Sequence, residues 1–221
     1  NIIGVQVFTF VDCNPGYCSR GLGAFDSNII DGLQYVYNLR NTYPIASVNM
    51  SLGGSKYNSQ SACDSRNPSM KAIIDQLRAA NIATLIATGN DFYGDGISYP
   101  GCISSAIAVG STSDSAEAIG GVAGKLSSFT NANFMLDLLA PGYAINSSIT
   151  VPTNSGFANK NGTSMATPQV TGAWAVVRSA LPNASVTQIL QAFQTSGTPV
   201  VDNVRADGLV CGKYVFVPCS G

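Results

Sequence analysis

Apolar and polar positions along this chain alternate in two distinct rhythms, separated by turn residues. "IIGVQVFTFV" (Ile2–Val11) is β-branched and aromatic, and it predicts a strand. Asp26 and Ser27 offer caps for a helix running to about Asn41, with Ile29, Leu33, Val36, Tyr37 and Leu39 on its apolar face, and Pro44 ends that pattern. "IASVNMS" (Ile45–Ser51) predicts a second strand, halted by Leu52-Gly53-Gly54. A polar, cysteine-bearing loop leads to a helix at about Pro68–Ala80, whose Met70, Ile73, Ile74 and Leu77 share one side. "IATLIA" (Ile82–Ala87) is a buried strand ending in Thr88-Gly89-Asn90. Ser104–Ser111 and Met135–Gly142 are further short apolar runs closed by turns. Helices at about Thr163–Leu181 and Ser185–Thr195 follow, and a terminal hairpin is expected near Leu209–Pro218.

Strand, helix, strand, helix, strand is the grammar of a parallel α/β sheet. In such sheets ligands bind beyond the carboxyl ends of the strands, so chemistry is sought in the turns "SLGG", "ATGND" and "NGTSMA". The 221 residues contain no Pro/Ser-rich linker and no charge run, and one domain spanning 1–221 is expected.

Composition narrows the function classes. Charged residues are 10% of the chain and the net charge is −1, which provides neither a basic field for nucleic acid nor a cationic helix for membranes. No apolar run reaches the ~18–20 residues that span a bilayer. A chain starting at Asn1 without a signal peptide reads as a processed or trimmed product. Sequons at Asn49, Asn146, Asn161 and Asn183 are what an Asn/Ser/Thr-rich chain produces by chance, and they are read as unglycosylated.

Six cysteines (Cys13, Cys18, Cys63, Cys102, Cys211 and Cys219) allow three disulfides. Close spacing favours local clips for Cys13–Cys18 and Cys211–Cys219, which leaves Cys63–Cys102 to staple two distant loops. Buried free thiols are the plainer alternative. A metal site is not expected, since there is no C-x-x-C and no histidine anywhere in the chain. Disulfides point to an oxidising, extracellular setting. No cofactor is expected either: Walker and G-x-G-x-x-G phosphate motifs are absent.

In "NGTSMATP", Asn161-Gly162 makes a turn and a helix opens at Thr163 or Ser164. A serine there lies near unpaired backbone N–H groups and the positive helix end, which favours a nucleophile or an oxyanion. A plain N-cap serine is the competing reading. Asn90 leaves a buried strand, where its amide could donate to an oxyanion or simply form a Gly-Asn turn. Ser51, Leu52 and Gly53 expose backbone groups with which an extended substrate could pair, or they are only a loop.

Together, and in this order, these turns resemble the subtilases. "NGTSMATPQVTG" is similar to that family's nucleophile motif, "IATGND" to its oxyanion segment and "VNMSLGG" to its substrate-binding strand. The likeness covers about Ile3–Thr195. It implies a parallel-sheet, three-layer α/β subtilisin-like fold, N-terminally truncated. It also implies Ser164 as nucleophile, and Asn90 as oxyanion donor working with the Ser164 N–H. Ser51, Leu52 and Gly53 would bind substrate backbone, and Ala87, Thr88 and Gly89 would wall the primary pocket. No calcium-site motif is matched.

The family's D-[TS]-G and H-G-T-H motifs are not found. Asp12 and Asp91 stand in the wrong contexts to replace the aspartate, and Lys160 is too close in sequence to pair with Ser164. Three functions are therefore held open. The first is a secreted serine hydrolase cleaving peptides with an Asp/His segment supplied by another chain or cleaved piece. The second is an autonomous esterase for small activated esters, and the third a peptide-binding pseudo-enzyme. A missing sheet strand would leave unpaired backbone, so a partner is expected there: an N-terminal fragment or a second copy.

Overall fold

The computed structural model describes residues 1–11, 21–113, 124–151 and 154–200. Cys13, Cys18, Cys211, Cys219, Asp12 and the expected terminal hairpin lie outside the described residues.

The predicted parallel α/β architecture is present. Strands β3 (Ser47–Met50), β5 (Ala83–Ala87), β7 (Ile107–Ser113) and β9 (Leu138–Pro141) form a parallel sheet in that spatial order. A short β8 (Lys125–Leu126) pairs antiparallel with the end of β7. Alternate residues serve opposite faces, as strand geometry requires. Ala83, Leu85, Ile107, Val109, Leu138 and Ala140 pack against helices α4 (Thr163–Ala180) and α5 (Val186–Ser196), around the fully buried Trp174. Met50, Ile86 and Ala108 face the other way, toward α1 (Asp26–Leu39), α2 (Gln60–Arg66) and α3 (Pro68–Ala79). Both faces are thus covered at the centre of the sheet, which is why β5 and β9 read as apolar runs, whereas the edge strand β3 keeps Asn49 exposed.

Two local expectations are corrected. Ile2–Val11 is not one strand: only β1 (Thr9–Val11) is paired, and its partner is β2 (Gly21–Gly23) rather than the main sheet. The preceding residues lie over α1, where Val7 comes so close that a Cβ on Gly32 would be 2.9 Å from its Cγ1. Ile2 is 98% exposed, so β-propensity there has no partner to act on. Asp26 and Ser27 do not cap α1 either. Phe25 holds the N-cap position without a side-chain bond, and the Asp26 carboxylate instead accepts from Asn67 Nδ2 at 3.0 Å.

Other ends follow sequence chemistry. Asn67 caps α3 ahead of Pro68, and Ser185 with Gln188 forms a capping box on α5. The antiparallel hairpin of β10 (Ile145–Val151) and β11 (Asn154–Lys160) carries the chain into α4. It was not anticipated, because Ser, Asn and Thr interrupt its few apolar positions, and none of its residues whose burial is described is buried. The short pair β4 (Lys56–Tyr57) and β6 (Ile97–Ser98) was also missed. Cys63 on α2 is disulfide-bonded to Cys102 in the loop after β6, as spacing suggested. At the opposite end of the sheet from the strand-end turns, Asp137 accepts the Ala108 N–H at 2.8 Å, and desolvation pushes its carboxyl up to about 6.

Candidate active site

A cavity of about 250 Å³ opens where β3 and β5 end, the position at which parallel sheets bind ligands. Leu52, Gly53 and Gly54 form one side, and Ala87, Gly89 and Asn90 the other. Thr163 and Ser164 close it from the start of α4, while Asp91 and Ser98 complete the lining.

The backbone at this helix start is exacting. Gly162 has φ +151, which an L side chain rarely adopts, so Asn161-Gly162 supplies the turn that delivers Ser164 to the first helical turn. The amides of that turn have no partner four residues back. The Ser164 N–H is one of them, and the helix dipole adds positive potential beside it. Farther in, Pro168 sits four residues after Ser164 and lacks the N–H that would bond the Ser164 carbonyl. Ser51 Oγ donates to that carbonyl instead, at 2.9 Å. Asn49 Nδ2 in turn donates to Ser51 Oγ at 3.1 Å.

Asn90 is oriented by Thr163. Its Oδ1 accepts from the Thr163 backbone N–H at 2.8 Å and from the Thr163 hydroxyl at 3.0 Å. A backbone N–H can only donate, so the oxygen of the amide must be the end facing Thr163. Among the described residues Nδ2 has no hydrogen-bond partner, and it is the other end of a side chain that lines the cavity. Thr163 Oγ1 also accepts the Gly89 N–H at 3.2 Å, and Thr163 is fully buried. This one β-branched residue ties the loop after β5 to the helix carrying Ser164. Its place inside the nucleophile motif was visible in the sequence; its two hydrogen bonds to Asn90 were not.

Of the residues singled out beforehand, Ser164, Asn90, Leu52, Gly53, Ala87 and Gly89 meet around one cavity. Ser51 stands behind it, holding the Ser164 carbonyl. Thr88, just past the end of β5, is not in the lining: it is fully buried between two residues that are. Lys160 ends β11 in an exposed position away from the lining. Asp91 is in the lining, with its carboxylate accepting from Asn131 Nδ2 at 3.2 Å. Gly54, Asp91, Ser98 and Asn131 were given no place in the site by the sequence reading, although Gly54 and Asp91 lie in the turns it singled out.

Fold and cavity together define a parallel α/β protein in which a serine opens a helix at the strand-end crevice, beside a fixed side-chain amide. The Subtilase family model matches residues 22–209, and the chain belongs to that family. It is 34% identical over 185 residues to alkaline elastase YaB of Bacillus sp. (strain YaB), covering 83% of this chain and 42% of that protein. To the major intracellular serine protease of Bacillus subtilis (strain 168) it is 36% identical over 155 residues, covering 68% and 41%. Subtilisin DY of Bacillus licheniformis is 30% identical over 188 residues, covering 84% and 60%. The crystal structure of a cold adapted subtilisin-like serine proteinase matches with a TM-score of 0.63 at 25% identity, covering 88% of this chain and 62% of that one. The chain therefore spans less than two thirds of the length of each of these relatives.

Proposed function

We propose that this chain is the nucleophile-bearing portion of a subtilisin-type serine hydrolase acting outside the cell, which cleaves peptide bonds when an Asp/His-bearing segment is supplied. One observation carries the reading. Thr163 occupies Asn90 Oδ1 with two donors, leaving the Asn90 amide nitrogen for a ligand in the cavity that Ser164 also lines. The names of the relatives, an elastase and serine proteases, support a peptide substrate, with Ser51–Gly53 pairing to its backbone and Ala87 and Gly89 walling its side chain. The base must come from elsewhere: the chain has no histidine, and Ser164 Oγ finds no hydrogen-bond partner among the described residues. The outer edge of β3 has no ladder partner among the described residues, which supports an added strand from an N-terminal fragment or a second copy. The Cys63–Cys102 bond supports an oxidising compartment.

A second reading is favoured by the same geometry, because nucleophile and oxyanion donors all lie on this one chain. Alone, it would act on small activated esters. Ser164 Oγ, its proton passing to water, attacks the ester carbonyl; the alkoxide departs, and water later hydrolyses the acyl-serine. Amide cleavage requires a protonated leaving group and would be nearly silent. In subtilisins the oxyanion hole and binding alone retain roughly 10³–10⁴ over water when the triad is gone.

The test is a fluorophosphonate probe, a p-nitrophenyl ester and a peptide anilide applied to the purified chain and to Ser164→Ala. Labelling mapped to Ser164, with ester but no anilide turnover, is expected of the chain alone. Anilide turnover appearing with an Asp/His-bearing segment would establish the protease. No label and no turnover, with peptide affinity indifferent to Ser164→Ala, would sink both readings and leave a peptide-binding protein.

A further inference from the structure

Forty residues beyond the cavity loop, Asn131 is fully buried, and every bond its side chain makes goes to Ser98 or to the loop carrying Asn90. Its Oδ1 accepts the backbone N–H groups of Asp91, at 2.8 Å, and Tyr93, at 3.1 Å. Its Nδ2 donates to the Thr88 carbonyl at 3.0 Å, to Asp91 Oδ2 at 3.2 Å and to Ser98 Oγ at 3.3 Å. Its own backbone N–H donates to the Gly89 carbonyl at 3.0 Å. Asn131 thus grips the chain on both sides of Asn90 without touching Asn90 itself. Two flanking bonds, Phe92 N–H to Phe129 O at 2.9 Å and Ala132 N–H to Tyr93 O at 2.8 Å, extend the clamp.

The loop has no regular structure of its own to hold it. Gly89 at φ +101 lets it turn, and its Cα lies so near that a Cβ would stand 2.3 Å from Asn131 Nδ2. A side-chain amide suits this place because one end must accept from two amides while the other donates to a carbonyl. No apolar residue of that size could satisfy both ends.

We propose that Asn131 is a positioning residue for the oxyanion donor, holding Asn90 where charge develops on the substrate; this rests on the reading of Asn90 given above. Preorganised donors work because they need no reorganisation during reaction, and a misplacement of about 1 Å can cost on the order of 10²-fold.

The test is Asn131→Ala in the purified chain, assayed with p-nitrophenyl acetate in the presence and absence of Asn90→Ala. Asn131→Ala should lower kcat by about 10–100-fold with KM within about twofold, and should add no loss once Asn90 is gone. Asn131→Ser, whose hydroxyl can still accept one loop amide, should recover part of the rate; it also serves if Asn131→Ala does not fold. An equal loss in both backgrounds, or a change confined to KM, would overturn the proposal. If the unaltered chain hydrolyses no ester, the autonomous-esterase reading fails, and the positioning is read by NMR. The Asn90 side-chain amide should then give one sharp ¹H–¹⁵N pair that shifts or broadens in the Asn131 variants, while amides of α5 stay in place. An unmoved Asn90 pair would refute positioning by Asn131.

Discussion

The hydroxyl of Ser51 donates to the carbonyl of Ser164 at 2.9 Å across 113 positions of sequence, and it fills a vacancy created by Pro168. Proline removes the amide that would have closed the helix there, so the residue bearing the nucleophile is tied to the end of β3 rather than to its own helix. Ser51→Ala should leave this half-buried carbonyl unpaired, at a cost of about 1 kcal/mol, visible in urea unfolding. In a Pro168→Ala background a backbone N–H becomes available again, and the cost of Ser51→Ala should shrink. An unchanged cost would mean that the two residues are not exchanging one bond.

Asn90→Ala should reduce ester turnover by about 10²–10³ in kcat and leave KM nearly unaltered, the scale known from removing an oxyanion asparagine in a subtilisin. Circular dichroism should show the fold retained. A loss expressed mainly in KM would assign Asn90 to ground-state binding.

Gly89 cannot accept a side chain. Its φ of +101 is strained for any L residue, and a Cβ would lie 2.3 Å from both Asn131 Nδ2 and Ser98 Oγ. Gly89→Ala is expected to destabilise the protein by roughly 2–4 kcal/mol, from strain and overpacking together. Thermal melts would reveal it, and a melting point within a degree of the parent would contradict this account.

Asp137 makes stability depend on pH. Desolvation raises its carboxyl to about 6, opposed by the Ala108 N–H and the charge of Arg78, whereas the unfolded carboxyl titrates near 3.9. The folded state therefore binds the extra proton between these values. The favourable contribution is fully present below about pH 4 and is lost as pH rises through about 6. Asp137→Asn stays neutral, so its stability should gain on the parent by on the order of 2 kcal/mol between pH 4 and 7. Parallel urea-unfolding curves for the two proteins across that range would argue against it.

The Cys63–Cys102 bond closes a loop of 39 positions, joining α2 to the segment just after Ser98 on the cavity floor. Replacing both cysteines by alanine, with the other four left intact, should cost about 2–4 kcal/mol. The expected readout is a lower urea midpoint. Equal midpoints would place the stabilising constraint elsewhere.

Burial patterns made most of the fold legible in the sequence. The runs at Ile82–Ala87 and Met135–Gly142 became β5 and β9, because strands covered on both faces are apolar, and Ile45–Ser51 became the edge strand β3, whose Asn49 is exposed. The β10–β11 hairpin was illegible for the converse reason: its Ser, Asn and Thr positions give no continuous apolar signature. Ile2–Val11 misled because strand propensity says nothing about whether a partner edge is available. Thr88 was assigned to the pocket by its neighbours in the motif, and the packing past the end of β5 buries it instead.

By itself the sequence determined the layered α/β architecture, the serine at a helix start and the asparagine at a strand exit, because periodicity, caps and glycine turns act over a few residues. Only the tertiary structure decided that Thr163 orients Asn90, that Ser51 completes the bond Pro168 forgoes, and that Asn131 clamps the loop between them. Those contacts join residues 38 to 113 positions apart. Hydrogen bonds of this kind depend on distance and angle in space, and no local pattern of residues encodes them.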